Sequence, residues 1–331
     1  MTPRAAARPG GEKAFGKVRV GISSCLLGEK VRFDGGHKRD RFVTDTLGEW
    51  VEWVPVCPEM EMGLGAPRES LRLVGDVDDP ALVAPKSGSD HTAAMKAYAR
   101  VRLEILDGLR LSGYLLKSDS PSCGMERVRV YGDSGMPSKK GVGVFARALM
   151  ERFPCLPVEE EGRLCDPVIR ENYIERLFAY RRLQELERGP KRMADLVRFH
   201  TVHKYLLLSH SPKHYQALGR LVARTRTPRR VPGDVIGDYS ATFMEALRVK
   251  ATRGKHANVL LHILGFLKEK LDADDKAEIV DVTDRYRRGL VPLVVPITLV
   301  NHHLRCHDVP WVKDQVYLSP HPTELMLRNH V

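Results

Sequence analysis

Gly113-Tyr114-Leu115-Leu116-Lys117 runs directly into Ser118-Asp119-Ser120-Pro121-Ser122-Cys123-Gly124. The first five residues are a short apolar run bounded by turn formers, the pattern of a buried strand. The next seven form a Ser/Pro/Gly turn that presents a thiol at the end of that strand. A lone cysteine in such a place usually just packs, but the same layout occurs twice upstream. Residues 17–24 alternate apolar and polar and end in Cys25-Leu26-Leu27-Gly28, followed by a glycine-bearing loop, Val31-Arg32-Phe33-Asp34-Gly35-Gly36-His37-Lys38. Trp50-Val51-Glu52-Trp53-Val54-Pro55-Val56 ends in Cys57-Pro58-Glu59, where a carboxylate stands two residues beyond the thiol.

Helical patterns lie between these strands. Residues 40–49 are compatible with a helix. Residues 93–111 are helical in pattern, with Met95, Tyr98, Val101, Leu103, Ile105 and Leu109 expected on one broad face. Alternation of strand and helix predicts an α/β doubly wound parallel sheet with right-handed crossovers. Ligands bind such sheets at the carboxyl ends of the strands, and Cys25, Cys57 and Cys123 each stand at such an end. Close cysteine or histidine pairs of the kind that hold structural zinc are missing from this half. Three thiolates with a vacant fourth position suit an iron–sulfur cluster with one exposed iron. Cys155, Cys165 and Cys306 have no comparable context and read as buried or incidental thiols.

The 331 residues are enough for two domains, and 43% hydrophobic with 29% charged residues is the composition of a soluble globular chain. Six cysteines without a secretory leader argue against a disulfide framework. Residues 1–17 are basic and rich in Ala, Gly and Pro, which predicts a disordered tail rather than a signal peptide. The longest apolar stretch, residues 290–300, is short of the ~18 residues of a membrane helix and contains Pro292 and Pro296. A cytoplasmic protein with no membrane partner is the expectation.

A charged helical stretch from 166 places Ile169, Tyr173, Leu177 and Leu183 on one stripe and stops at Gly189-Pro190, which reads as a helical linker over 166–190. Beyond it an all-α domain over 191–331 is predicted, with helices at 191–208, 212–223, 239–250, 256–271 and 274–289. The net formal charge of +11 is concentrated there: residues 190–255 hold 14 Lys/Arg against 4 Asp/Glu. A structured polyanion is the economical partner for such a surplus, since each neutralised phosphate releases counterions. Lys204, Lys213, Arg226, Arg229, Arg230 and Arg253 are the candidate RNA contacts, with His203 and Tyr205 as stacking candidates. His200, His203, His210 and His214 could also be read as a zinc group. Asn301-His302-His303-Leu304-Arg305-Cys306-His307 reads as a polar loop, for RNA or for domain docking.

The three cysteine motifs in this order, from about residue 18 to 149, resemble the thiouracil desulfidase (TudS-type) family. The fusion to a basic helical domain resembles the variant that removes sulfur from 4-thiouridine in tRNA. The resemblance implies a [4Fe-4S] cluster on Cys25, Cys57 and Cys123, whose open iron takes the thiocarbonyl sulfur while water replaces it in a non-redox reaction. It also implies a catalytic carboxylate at Glu59 and a serine at Ser120. From the residues alone Glu61 competes with Glu59, and Ser120 could cap its turn while Ser122 meets the cluster. The loop Pro58-Glu59-Met60-Glu61-Met62-Gly63-Leu64-Gly65 departs from the more glycine-rich loop of stand-alone members, which leaves that wall of the pocket open. Arg68 could meet a phosphate or pair with Glu69 or another carboxylate. Two further readings stand beside tRNA desulfidation: a desulfidase for free thiouracil or 4-thio-UMP, and a non-catalytic RNA-binding protein holding a structural metal.

Overall fold

The Val- and Ile-rich runs that precede the first two cysteines pair with each other. In the computed structural model, which describes residues 17–132, 136–225 and 231–331, the chain divides into two compact units, Lys17–Asp166 and Pro167–Val331. The tail expected over 1–17 lies, apart from Lys17, outside the described residues.

The first unit contains, in order, β1 (Val18–Ser23), β2 (Val51–Val56), α1 (Pro58–Glu61), β3 (Arg72–Val74), β4 (Ala81–Val83), α2 (Thr92–Leu109), β5 (Gly113–Leu116), β6 (Val128–Tyr131), β7 (Pro137–Gly141), α3 (Val144–Arg152) and β8 (Val158–Glu160). β2, β1, β5 and β8 form one parallel sheet in that order. β1 and β2 run in register from Val18/Val51 to Ser23/Val56, and Ile22 stands opposite Leu115. The strands that precede the three cysteines therefore end at one rim. All four residues of β5 are buried, as expected of a central parallel strand covered on both faces. Gly21 is required within β1: a Cβ there would come within 2.2 Å of the buried Tyr114 ring on β5. The strand order reverses between β1 and β5, the kind of switch point where open α/β sheets hold their ligands.

Two expectations are corrected. α2 buries Met95, Ala99, Leu103 and Leu106, spaced by four, four and three residues, whereas Val101 is 61% and Ile105 50% exposed. At 100° per residue those two fall off the stripe that meets the sheet. A second sheet, beyond the one the strand–helix alternation predicts, has the order β4-β3-β6-β7. β3 pairs antiparallel with β4 and parallel with β6, and β6 pairs antiparallel with β7. Its inner face buries Leu73, Leu82 and Val130, while Arg72, Arg129 and Lys139 are exposed on the other.

The second unit is helical: α4 (Pro167–Arg188), α5 (Met193–His210), α6 (Pro212–Arg224), α7 (Gly233–Arg248), α8 (Arg253–Leu267), α9 (Ala273–Arg287), α10 (Val294–Cys306) and α11 (Pro310–Lys313). The stretch expected as a linker is α4, whose Tyr173, Ile174, Leu177 and Leu183 are fully buried, so it belongs to the core of this unit. Ser211 ends α5 and caps α6 by accepting from the His214 backbone N–H, with Pro212 in the first turn. The polar segment expected as a loop at 301–307 is mostly the last turns of α10, because Pro296 sits in that helix's first turn, where it breaks no hydrogen bond. No helix among the described residues is long and apolar enough to cross a membrane.

Candidate functional site

Each cysteine is carried to the rim by a different local device. β1 ends in a single tight turn, Ser24–Leu27, closed by Gly28 at φ 99°, whose N–H bonds the Cys25 carbonyl. Cys57 stands between β2 and α1, where its N–H donates to Glu61 at 3.1 Å. The Cys123 loop is braced twice. The Ser120 hydroxyl accepts from the N–H groups of Ser122 (3.3 Å) and Cys123 (3.0 Å). The first turn of α3 holds the same loop, since Val144 N–H donates to Pro121 O (3.1 Å) and Phe145 and Ala146 N–H to Ser122 O (3.0 and 3.1 Å). Gly143 leads into this turn, and a Cβ on it would meet the Ser122 carbonyl at 2.6 Å.

These devices bring Cys25, Cys57 and Cys123 into the lining of one cavity of about 450 Å³, together with Glu59, Arg68, Lys117 and Ser120. All three thiols are free. Burial pushes the Cys25 thiol up to about 11, with Lys117 opposing, and raises Cys57 as well. Cys123 is held well above the ordinary thiol range by burial, then by the nearby Glu59. Thiols in such surroundings become thiolates only against a compensating charge, which a bound metal supplies. Among the described residues no group of three His, Cys, Asp or Glu is arranged to hold a metal ion. The three thiols stand around a space instead of converging on a point, and the donors are all soft sulfur, an arrangement that fits a polynuclear iron–sulfur group.

Glu59 reaches the cavity and Glu61 does not. Glu59 is paired with Arg68, whose Nε donates to Oε2 at 2.9 Å while a second guanidinium nitrogen also contacts Oε2; Ser122 Oγ donates to Oε1 at 2.7 Å. Arg68 is itself anchored, donating from Nη1 to the carbonyls of Val31 (2.9 Å) and Gly65 (2.7 Å). Glu61 faces α2, accepting from Tyr98 Oη at 2.7 Å and pairing with Arg102 at 3.1 Å. Ser122 thus holds the carboxylate, and Ser120 caps the turn while lining the cavity. The carboxylate that Arg68 pairs with is Glu59 and not Glu69, which binds the backbone N–H groups of Lys86 and Ser87. A third pair was not anticipated: Glu161 accepts from the Ser118 N–H (2.8 Å) and hydroxyl (2.8 Å) and from Lys117, fixing the start of the cysteine loop. Its only sequence signal is a lysine that closes an apolar strand. Cys155, Cys165 and Cys306 lie outside the cavity lining, and Cys165 and Cys306 are exposed rather than buried.

In the second unit, Lys213 and Arg253 are exposed, and the Lys204 ammonium lies over the rings of Tyr205 (5.5 Å) and Trp311 (5.7 Å). Arg226, Arg229 and Arg230 fall outside the described residues. His203 and Tyr205 are buried, so they are not stacking contacts for RNA. His203 donates from Nδ1 to the Phe199 carbonyl of its own helix (2.7 Å), and His210 is enclosed between Val249 O (2.6 Å) and Glu175 (2.7 Å). Burial works against charge on Glu175, but His210 and Arg328 overcome it and hold its carboxyl below the usual range. His200, His203 and His210 share the inward face of α5, where each ring bonds a protein partner, and His214 stands on α6 beside Ser211 Oγ.

Fold and site together define a parallel α/β unit with a three-thiol cavity at its switch point. Residues 20–161 match the 2-thiouracil desulfurase family, and residues 204–322 match a family of proteins of unknown function, DUF1722. The chain is 31% identical over 108 residues to the uncharacterized protein YbbK of Bacillus subtilis (strain 168), covering 31% of this chain and 71% of that protein. It is 27% identical over 154 residues to the uncharacterized protein YbgA of Escherichia coli (strain K12), covering 46% of this chain and 90% of that one. A solved structure, the [4Fe-4S]-dependent thiouracil desulfidase TudS, is 31% identical over 45% of this chain and 95% of its own, with a TM-score of 0.37. The chain belongs to the 2-thiouracil desulfurase family through its first unit, and carries the DUF1722 region in its second.

Proposed function

We propose that this protein is a [4Fe-4S]-dependent desulfidase that converts 4-thiouridine in tRNA to uridine and releases sulfide. The observation that carries the proposal is the meeting of Cys25, Cys57, Cys123 and Glu59 in one cavity lining. The three cysteines would hold the cluster, leaving one iron without a protein thiolate. When bound, it supplies a Lewis acid for the thiocarbonyl sulfur.

The rest of the chemistry falls to the chain. Water replaces sulfur at C4: a C–O bond forms, the C–S bond breaks, and sulfur leaves as sulfide with no change of oxidation state. Glu59 accepts the proton of the attacking water, a role worth ~10²–10⁴ in rate. Arg68 and Ser122 aim that carboxylate, the guanidinium donating to Oε2 and the hydroxyl to Oε1. Ser120 already accepts two N–H groups, so its own proton is free to be donated to the pyrimidine. The basic stretch of the second unit supports an RNA substrate, with Lys204, Lys213, Arg226, Arg229, Arg230 and Arg253 as the residues to test. A base within tRNA must be turned out of its stack to enter a cavity, and phosphate contacts would offset that expense. A free thiopyrimidine is the competing substrate, in keeping with the 2-thiouracil desulfurase family that residues 20–161 match.

The test is anaerobic reconstitution with iron and sulfide, incubation with bulk tRNA, and digestion to nucleosides. Loss of 4-thiouridine with equal gain of uridine is expected, alongside broad absorbance in the blue. Glu59→Gln should keep that absorbance and lose at least ~10²-fold in turnover. A colourless protein after reconstitution refutes the cluster; turnover of free thiouracil with tRNA untouched refutes the substrate.

A further inference from the structure

The thiol cavity opens sideways onto the second sheet. A groove of about 260 Å³ is lined by Leu71, Arg72, Asp119, Pro121, Val128, Arg129 and Tyr131, and three of these, Leu71, Asp119 and Pro121, also line the cavity. The parallel register of β3 and β6 sets Leu73 against Val130, so one residue earlier Arg72 and Arg129 stand side by side. The antiparallel register of β6 and β7 sets Lys139 against Arg129. Three cations therefore cross three neighbouring strands on the exposed face of this sheet, and none of them forms an ion pair among the described residues. Like charges directly opposite on a sheet repel, so the strip is relieved when an anion covers it. The Arg72 guanidinium lies 5.2 Å from the Tyr131 ring centre, which adds an aromatic face to the groove.

We infer that this strip binds the sugar–phosphate backbone of single-stranded RNA leading into the thiol cavity. The inference rests on the desulfidase reading only for the identity of the base; the backbone grip stands on the sheet alone. Neighbouring strands are ~4.8 Å apart, so the outer cations are ~10 Å apart. That is more than one phosphate group covers, which favours a strand over a mononucleotide. Cations beside an aromatic ring on an open sheet face are what sequence-tolerant binding of single strands uses. Asp119, exposed at the junction of groove and cavity, offers the acceptor that a ribose hydroxyl needs.

The experiment is fluorescence anisotropy of a labelled ten-residue oligouridine with the full chain, read as a function of salt. It needs neither sulfur in the RNA nor turnover, so failure of the desulfidase reaction leaves it standing. Arg72→Gln/Arg129→Gln should weaken binding roughly tenfold and make the slope of log Kd against log salt shallower by about 1.4, at ~0.7 per phosphate contact on a single strand. Should that pair fail to fold, Arg129→Gln alone should show about half of the slope change. Affinity and slope equal to those of the unaltered protein overturn the inference. Displacement of the oligomer by micromolar 5′-UMP overturns the strand reading in favour of a single-phosphate site.

Discussion

Replacing Arg68 by methionine removes a guanidinium whose side chain is 8% exposed from a carboxylate that is 13% exposed. Met fills much of the same space but donates nothing, so Glu59 is left with Ser122 Oγ as its remaining donor and the carbonyls of Val31 and Gly65 lose their shared partner. Removing one member of a buried pair costs about 3–5 kcal/mol, because the other charge stays behind uncompensated. We expect the first unit of Arg68→Met to be at least ~3 kcal/mol less stable, more than a hundredfold in its folding equilibrium. Glu59→Gln should cost less, since the amide oxygen still accepts from Arg68. The double variant should recover part of the loss, with a coupling of about 1–3 kcal/mol. The assay is urea unfolding followed by fluorescence. Trp50 and Trp53 report on the first unit, and the remaining tryptophan, Trp311, is replaced by Phe to silence the second. If Arg68→Met unfolds within ~1 kcal/mol of its parent at unchanged slope, Arg68 does not compensate a buried charge and the account of the Arg68–Glu59 pair fails.

Other expectations are read from separate parts of the molecule. Gly143→Ala forces a methyl against the Ser122 carbonyl, 2.6 Å away, and the Cys123 nitrogen, 2.8 Å away, so the cysteine loop or α3 must shift. A stability loss of about 1–3 kcal/mol with less iron retained after reconstitution is expected, measured by unfolding and metal analysis. Acid should unfold the second unit early. Burial, aided by nearby cationic side chains, lowers His203 and His256 to about 3 and His321 to about 4, below the unfolded value near 6.5. Groups with depressed values stabilise the fold fully above the unfolded value, and that contribution is lost as pH falls through the window from about 6.5 to 3. Each proton taken up on unfolding adds ~1.4 kcal/mol per pH unit to the slope of stability. With Trp50 and Trp53 replaced so that fluorescence reports on the second unit alone, a slope of more than two protons in that window is the expected result; a flat profile shows that these imidazoles are not buried neutral.

The parallel sheet was legible because apolar runs that end in a cysteine and a turn occur three times, and a strand followed by a polar turn has few other readings. The second sheet was not, since β3 and β4 are three residues each and their pairing is set by neighbours distant in the chain. Glu59 and Glu61 are two residues apart on one helical turn and so face nearly opposite ways. Which of them enters the cavity depends on Tyr98 and Arg102 of α2 taking Glu61, information that lies some forty residues downstream. The inward face of α5 was misjudged for a related reason: His203 and Tyr205 look like surface polar residues until the aromatic packing with Phe199 and Phe243 closes over the histidine.

The first turn of α3 has a consequence for time scales. A helix start normally leaves its N–H groups to water, but here those of Val144, Phe145 and Ala146 are taken by the carbonyls of Pro121 and Ser122. The Cys123 loop is thereby stitched to a helix whose Phe145, Ala146 and Leu149 are wholly buried. Hydrogen exchange at those three amides should be as slow as in the sheet itself, opening only when the unit opens as a whole. The thiol of Cys123 is thus tied through its loop to the buried face of α3, and whatever binds beside it meets a wall that is already in place.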